Sequence, residues 1–323
     1  MTVLENLDIP VIAAPMAGGP STPALVNAAA DAGGLGFLAG GVCSVEELST
    51  QMDATTSHFG VNLFSPQIPY WDLKPVRKAL GVSHEELPDV DLTNGWSQKL
   101  AMILDHPRTP AVVSSMFGTF TAAEMRRLHD RGIEAWVTVT NEHSALAAVR
   151  AGADALIVQG PSAGGHRGTW SVQDIPDLRS LPALLKGISK AVNVPLIAAG
   201  GIMGPNDVPP VTERGAVAVA VGTALLRTPE AGTSQANREL LAAGERDSVS
   251  TRAFSGRWAR GLETEFTRAH PEMPPTYPYL NALLAPRRSE PGYEYCLAGE
   301  NYRAGREAPA GEIMREIATG WDA

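Results

Sequence analysis

Cysteine is almost missing from this chain: among 323 residues only Cys43 and Cys296 occur, in unrelated contexts. That argues against a disulfide framework and fits a reducing compartment, so a cytoplasmic protein is expected. Long apolar runs are missing as well. No stretch approaches the ~18 consecutive apolar residues of a membrane span. The opening MTVLENLDIP carries neither the basic start nor the apolar stretch of a secretory signal. Positive charge is the minority sign, 26 Lys and Arg against 35 Asp and Glu, for a formal net charge of -9. Nucleic acid and anionic membrane are therefore not expected as partners, because Lys and Arg lead binding to both.

Three chemical signatures are also lacking. No G-x-G-x-x-G follows an apolar run, and "AGGIMGP" (199–205) has the wrong spacing for one. There is no G-x-S-x-G nucleophile elbow, and the Ser114-Ser115 pair has no base beside it in sequence. His84 stands in "HEEL" rather than H-E-x-x-H, and no Cys/His/carboxylate group has metal-ligand spacing, so no metal is expected.

What is present is an ordinary globular composition, 44% hydrophobic and 19% charged, with ample apolar material for a core. Eight short apolar runs recur, each bounded by Gly, Pro or polar residues: 10–15, 35–40, 59–64, 111–115, 135–140, 155–160, 195–200 and 216–222. Their apolar character is continuous rather than alternating, as in parallel strands buried on both faces. Helical patterns lie between them. Residues 121–132 begin on a Thr-x-x-Glu capping box and stop at Gly132, 141–152 run from Asn141 to Gly152, and 22–33 end at Gly33. Eight such units predict an α/β chain folded as a (β/α)₈ barrel, with a doubly wound sheet as the alternative. The barrel is expected over 1–224, with an insert at 65–109 that is too long for an ordinary loop. Residues 225–323, mostly helical with a Pro-rich break, are expected to form a smaller lobe over one barrel mouth.

In such barrels chemistry sits at the C-terminal strand ends, and phosphate binds at the loops after strands seven and eight. Those loops contain Gly200 and Gly201, then Ala220, Val221, Gly222 and Thr223. Glycines let main-chain N–H groups approach a phosphate; Thr223 opens a helix and adds a hydroxyl. Each loop alone reads equally well as a tight turn, but two in succession at these strands point to phosphate. Asn62 and Gln159, at the ends of the third and sixth strands, offer amides to the edge of a heteroaromatic ring. Singly they read as a polar plug and a strand-end cap. His166 follows Gly164 and Gly165 in "QGPSAGGHRG", where the backbone can come close to a ring and an imidazole can act as base, acid or anion-holding donor. A lone loop histidine more often caps a carbonyl. Together the features indicate a flat phosphorylated cofactor, for which flavin mononucleotide (FMN) fits best.

The stretches "APMAGG", "FGVNLF", "QGPSAGGHRG", "PLIAAGGI", "AVGTALLRTPEA" and "SGRWARGL" resemble, in order, those of the nitronate monooxygenase family, from residue 10 to about 262. The resemblance implies an FMN-dependent barrel that oxidises alkyl nitronates, such as propionate 3-nitronate, with dioxygen to a carbonyl compound and nitrite, through a flavin semiquinone. It implies FMN contacts from the Met16 main chain, Asn62, Gln159, Gly164, Gly201 and the turn from Ala220 to Thr223. It also implies His166 as the base for neutral nitroalkanes, or as the group steering a substrate that is already ionised. Pro161 and Ser162 depart from the family's usual Glu-containing turn and change its rim; Tyr70 and Trp71 of the insert are candidate substrate contacts. An NAD(P)H-dependent FMN reductase acting on a quinone or enoyl thioester remains the alternative on the same scaffold. A flavin-free phosphate-binding barrel stands behind it. The oligomeric state, a homodimer among the options, is not legible from the sequence.

Overall fold

The computed structural model describes residues 2–68, 72–83 and 85–321; Tyr70, Trp71 and His84 lie outside the described residues. Along the chain the strands are β1 (Val11–Ala13), β2 (Leu35–Ala39), β3 (Phe59–Phe64), β4 (Val112–Met116), β5 (Glu134–Val139), β6 (Ala155–Gln159), β7 (Gly165–His166), β8 (Leu196–Ala199), β9 (Ala216–Val221), β10 (Ser248–Thr251) and β11 (Ala259–Leu262). β1 to β6, β8 and β9 form a closed, all-parallel barrel. The eight apolar runs of the sequence are these eight strands. The helix signals hold as well. Thr121 accepts a hydrogen bond from the Glu124 main chain at 3.2 Å, and the Glu124 carboxylate returns one from Thr121 N at 2.7 Å. Asn141 caps the helix Glu142–Ala151 through Ser144 N at 2.9 Å, and Gly152 ends that helix at φ 109°.

Alternation along each strand divides the side chains. Val61, Val113, Val137, Val158 and Val219 face outward onto the helices, within the larger apolar core. Ile12, Leu35, Phe37, Val112, Trp136, Ile157 and Ile197 face inward and fill the barrel. Phe37 and Trp136 meet at 5.8 Å between ring centroids and plug its middle. One step further toward the C-terminal strand ends, the inward positions are Ala14, Ala39, Asn62, Ser114, Thr138, Gln159, Ala199 and Ala220. The barrel is thus packed with large side chains below and floored with small or polar ones at its mouth.

Two departures from the sequence expectation concern the additions to the barrel. Within 65–109, the helix Trp96–Asp105 is an ordinary barrel helix: Trp96, Leu100, Ile103 and Leu104 join the core around the strands. The added part is shorter, and its helix Lys74–Leu80 places Val76 in a separate apolar cluster with Ala253, Phe266, Met273, Leu280 and Leu284. At the other end, the helix Ala310–Ala318 does not join that cluster. Its Ala310, Ile313, Met314 and Ile317 pack into the barrel core, against β1 and the helix Pro23–Asp31. The chain leaves the barrel after β9, builds the cap, and returns to supply the last helix around the barrel. Periodicity shows that a helix buries one face, but not which surface receives it.

The cap also borrows from the barrel. β7 lies in the loop after β6 and pairs antiparallel with β11, with His166 opposite Ala259 and Gly165 opposite Arg260; β11 pairs in turn with β10. That pairing fixes the cap over the C-terminal mouth and holds His166 on regular backbone.

Candidate active site

Pairing of Ala199 with Ala220 sets the loops after β8 and β9 side by side. Gly200 and Gly201 take φ of 108° and 84°, which a side chain rarely adopts, and a Cβ on Gly200 would sit 2.8 Å from Ala163 Cβ. Among the described residues, no hydrogen bond engages the main-chain N–H of Gly200, Gly201, Gly222, Thr223 or Ala224. Five unpaired donors in two adjacent loops make a cradle for an anion. The sequence expected a helix opening at Thr223; the structure has only a three-residue 3₁₀ turn, Thr223–Leu225, so the donors rather than a helix dipole supply the attraction. The Thr223 hydroxyl accepts from Gly299 N at 2.9 Å, which leaves its own hydrogen to give.

Gly299 belongs to a strap, residues 298–301, that crosses both loops. Asn301 donates from Nδ2 to Gly201 O at 3.1 Å, Glu300 N to Ser162 O at 3.1 Å, and the Ser162 hydroxyl to the Glu300 carboxylate at 2.7 Å. Gly164 is glycine because the strap passes there: a Cβ would stand 2.5 Å from Gly299 N.

The predicted amides sit at the mouth, with different commitments. Asn62, 2% exposed, donates from Nδ2 to Ser114 Oγ at 2.9 Å. Gln159, 8% exposed, is turned onto its own loop: Nε2 donates to His166 O at 2.9 Å and Oε1 accepts from Gly168 N at 2.8 Å. It therefore braces the chain that leaves His166, from the His166 carbonyl to Gly168. Met16 has its N–H on Ser21 Oγ at 2.8 Å and its carbonyl on Ser21 N at 3.3 Å, while its thioether runs alongside Gly222. The Val221 side chain faces outward into the helix-facing core, so only its main chain is at the mouth.

His166 lies over this floor. Its Nε2 is 2.7 Å from Ser255 Oγ, and its ring meets Tyr277 at 5.4 Å and Phe117 at 5.9 Å, edge to face. Phe117 holds φ of 69°, a strained conformation for a bulky residue. Over the Phe117 ring, at 4.1 Å, lies the guanidinium of Arg257, which is fully buried and has no carboxylate bridged to it among the described residues. Its Nη1 donates to Thr169 O at 2.7 Å and its Nη2 to Gln67. Burial pulls the Arg257 pKa down to about 10, which still leaves it charged at neutral pH. Burial, followed by the charges of Arg257 and Arg288, pushes His166 down to about 3, so the imidazole is neutral.

A cradle of main-chain donors, a small-residue floor and a neutral imidazole in a positive field could together hold a flat, anionic group beside a proton acceptor. The family model for nitronate monooxygenase matches residues 2–318. The chain belongs to the nitronate monooxygenase family. A probable nitronate monooxygenase of Staphylococcus aureus is 32% identical, over 98% of this chain and 95% of its own length. The structure of nitroalkane oxidase from Streptomyces ansochromogenes superposes with a TM-score of 0.91 at 34% identity, covering 99% of each chain. FabK from Thermotoga maritima follows at a TM-score of 0.75 and 25% identity, over 99% of this chain and 95% of that one. As a member of the nitronate monooxygenase family the chain is an oxidoreductase of small molecules. Among the described residues no helix is long and apolar enough to cross a membrane.

Sequence reasoning missed Ser255, Arg257, Phe117, Tyr277 and the strap. "SGRWARGL" marks the first two as part of a family stretch, but nothing in its spacing connects it with a histidine 89 positions earlier. A two-residue strand such as β7 leaves no alternation to read.

Proposed function

We propose that this nitronate monooxygenase family member is a cytoplasmic FMN enzyme that oxidises alkyl nitronates, such as propionate 3-nitronate, with dioxygen to a carbonyl compound and nitrite. The observation that carries the reading is the neutral His166 set in the field of two guanidinium groups above the donor cradle. The residues present fit FMN. The N–H groups of Gly200, Gly201, Gly222, Thr223 and Ala224, with the Thr223 hydroxyl, would take its phosphate. Ala220 and the other small side chains of the floor leave room for a flat ring. Asn62, the free Nε2 hydrogen of Gln159, the main chains of Met16 and Val221, and the glycine pair Gly164 and Gly165 would border that ring. When bound, FMN supplies the electron transfer from substrate to dioxygen.

The chain's own groups handle charge and the proton. A nitronate is an anion, and Arg257 and Arg288 favour it at the place where they disfavour an imidazolium. With a neutral nitroalkane, His166 takes the carbon-bound proton, and the electron pair of that C–H bond remains on the substrate as the nitronate. The positive field opposes the imidazolium but stabilises the nitronate formed beside it, so its two effects on the transfer have opposite signs. Phe117 and Tyr277 pack edge to face against the imidazole and close that side of the site. The two free thiols, Cys43 partly buried and Cys296 buried, support a reducing compartment.

Aerobic turnover of propionate 3-nitronate with nitrite detection tests the reading. Nitrite formation without NADH is expected, and no nitrite with the flavin bound would refute it. The similarity to FabK favours a second reading, a reductase fed by NAD(P)H. Anaerobic mixing with NADH separates the two: rapid bleaching of the flavin supports the reductase, and no bleaching supports the monooxygenase.

A further inference from the structure

We propose that Ser255 is a positioning residue that fixes His166 as its Nε2–H tautomer, so that the Nδ1 lone pair is the atom that receives the substrate proton. Ser255 is fully buried and its hydroxyl has three neighbours: His166 Nε2 at 2.7 Å, Arg257 N at 3.3 Å and Arg257 O at 3.4 Å. A serine hydroxyl owns one hydrogen and accepts through two lone pairs. Arg257 N can only donate, so it takes one lone pair. The single hydrogen then goes to Arg257 O or to His166 Nε2.

Arg257 O decides between them. It belongs to a fully buried residue, and the Ser255 hydroxyl is its only donor among the described residues. If Ser255 donated to Nε2, that buried carbonyl would be stranded, an arrangement folded proteins avoid. If Ser255 donates to Arg257 O, its second lone pair receives Nε2–H and every group is satisfied. The imidazole is neutral, so one ring hydrogen is all it has; with that hydrogen on Nε2, Nδ1 is bare. Nδ1 has no hydrogen-bond partner among the described residues. β7 and Gln159 hold the backbone on either side of the ring, so Ser255 sets the side chain's remaining freedom. The proton transfer then balances simply. The C–H bond of a neutral nitroalkane breaks, the proton joins Nδ1, the pair stays on the nitronate carbon, and the imidazolium later returns its proton to water.

The consequence for turnover rests on the function proposed above, whereas the tautomer does not. The ring nitrogens of ¹⁵N-labelled holoenzyme are observed by two-bond ¹⁵N–¹H correlation, with His166→Asn to assign the signals. The bare nitrogen is expected to be Nδ1 in the wild type. Ser255→Ala is expected to scramble the tautomer, and Ser255→Thr, which restores the hydroxyl, to recover it. On neutral nitroethane, Ser255→Ala should lose roughly 10–100-fold in kcat/KM, as when other imidazole-orienting partners are removed. Preformed ethyl nitronate should change far less. A wild-type bare nitrogen at Nε2 would overturn the proposal, whether or not the variant folds. So would a Ser255→Ala protein whose ring signals and nitroethane-to-nitronate ratio match the wild type. A wild type that shows bare Nδ1 but yields no nitrite from either substrate supports the tautomer and removes the nitronate reading alone.

Discussion

Gly164→Ala is the substitution that tests how the strap holds the cradle together. An added Cβ would stand 2.5 Å from Gly299 N, 2.7 Å from Ala298 C and 2.9 Å from Ala298 Cα. All three are main-chain atoms, so no side-chain rotation relieves the clash, and the strap must move as a unit. Overpacking of this kind costs about 1–3 kcal/mol. Movement of the strap also stretches the bonds from Gly299 N to Thr223 Oγ1 and from Glu300 N to Ser162 O, 2.9 and 3.1 Å in the intact fold. Each contributes about 1 kcal/mol net. A total of about 3–5 kcal/mol follows, of which the Thr223 share falls directly on the cradle. In a domain of this size 1 kcal/mol lowers Tm by about 2 °C, so a fall of roughly 6–10 °C is expected in the apoprotein. FMN should bind about tenfold more weakly for each 1.4 kcal/mol that reaches the cradle. Thermal unfolding and flavin-fluorescence quenching measure the two effects separately. A Gly164→Ala protein with unchanged Tm and unchanged FMN affinity would show that the strap is not tied to the cradle as described.

The remaining predictions concern His166. His166→Asn should retain FMN yet slow oxidation of neutral nitroalkanes by about 10²–10⁴-fold, the usual size of a general-base contribution, with a much smaller effect on preformed nitronates. An equal loss on both, measured as oxygen uptake, would remove the base role. The imidazole titrates near 3 in the fold against an ordinary value of 6.5, under Arg257 and Arg288 and beside Tyr277. Between those values the unfolded chain holds the proton and the folded chain does not. This contribution to stability is therefore complete above pH 6.5 and declines as pH falls, by about 1.4 kcal/mol per unit and so by about 2 kcal/mol at pH 5. From pH 7 to pH 5 the urea midpoint should fall further in the wild type than in His166→Asn; parallel falls would contradict the half-buried, neutral imidazole.

Much of this could be read in advance because each legible feature is local. Continuous apolar runs such as 216–222 announce strands covered on both faces, and Thr121 with Glu124 or Asn141 with Gly152 mark helix ends that the fold then uses. The placement of Gly200, Gly201 and His166 at the C-terminal barrel mouth was legible because a residue type and its position in the barrel order were enough. What escaped depends on contacts between distant segments. Gln159 has the composition of a ligand amide and the geometry of a loop brace, and only the positions of His166 and Gly168 distinguish the two. Nothing in the sequence around Arg257 marks it as buried, yet it lies buried against aromatic rings because Phe117, Tyr277 and Thr169 converge on it from separate elements. The placement of the helix Ala310–Ala318 escaped for the same reason.

That helix has a consequence for how the protein is made. Arg315 reaches the carbonyl of Asp31 at 3.2 Å, a contact spanning 284 positions of chain. All eight barrel strands leave the ribosome before the residues that shield β1 and its helix have been translated. Through that interval the nascent chain carries a sticky, half-covered wall, and such non-local closure is slow. A transcript cut short just before codon 310 would encode every strand and every glycine of the donor cradle, and still deliver a substrate for chaperones in place of an enzyme.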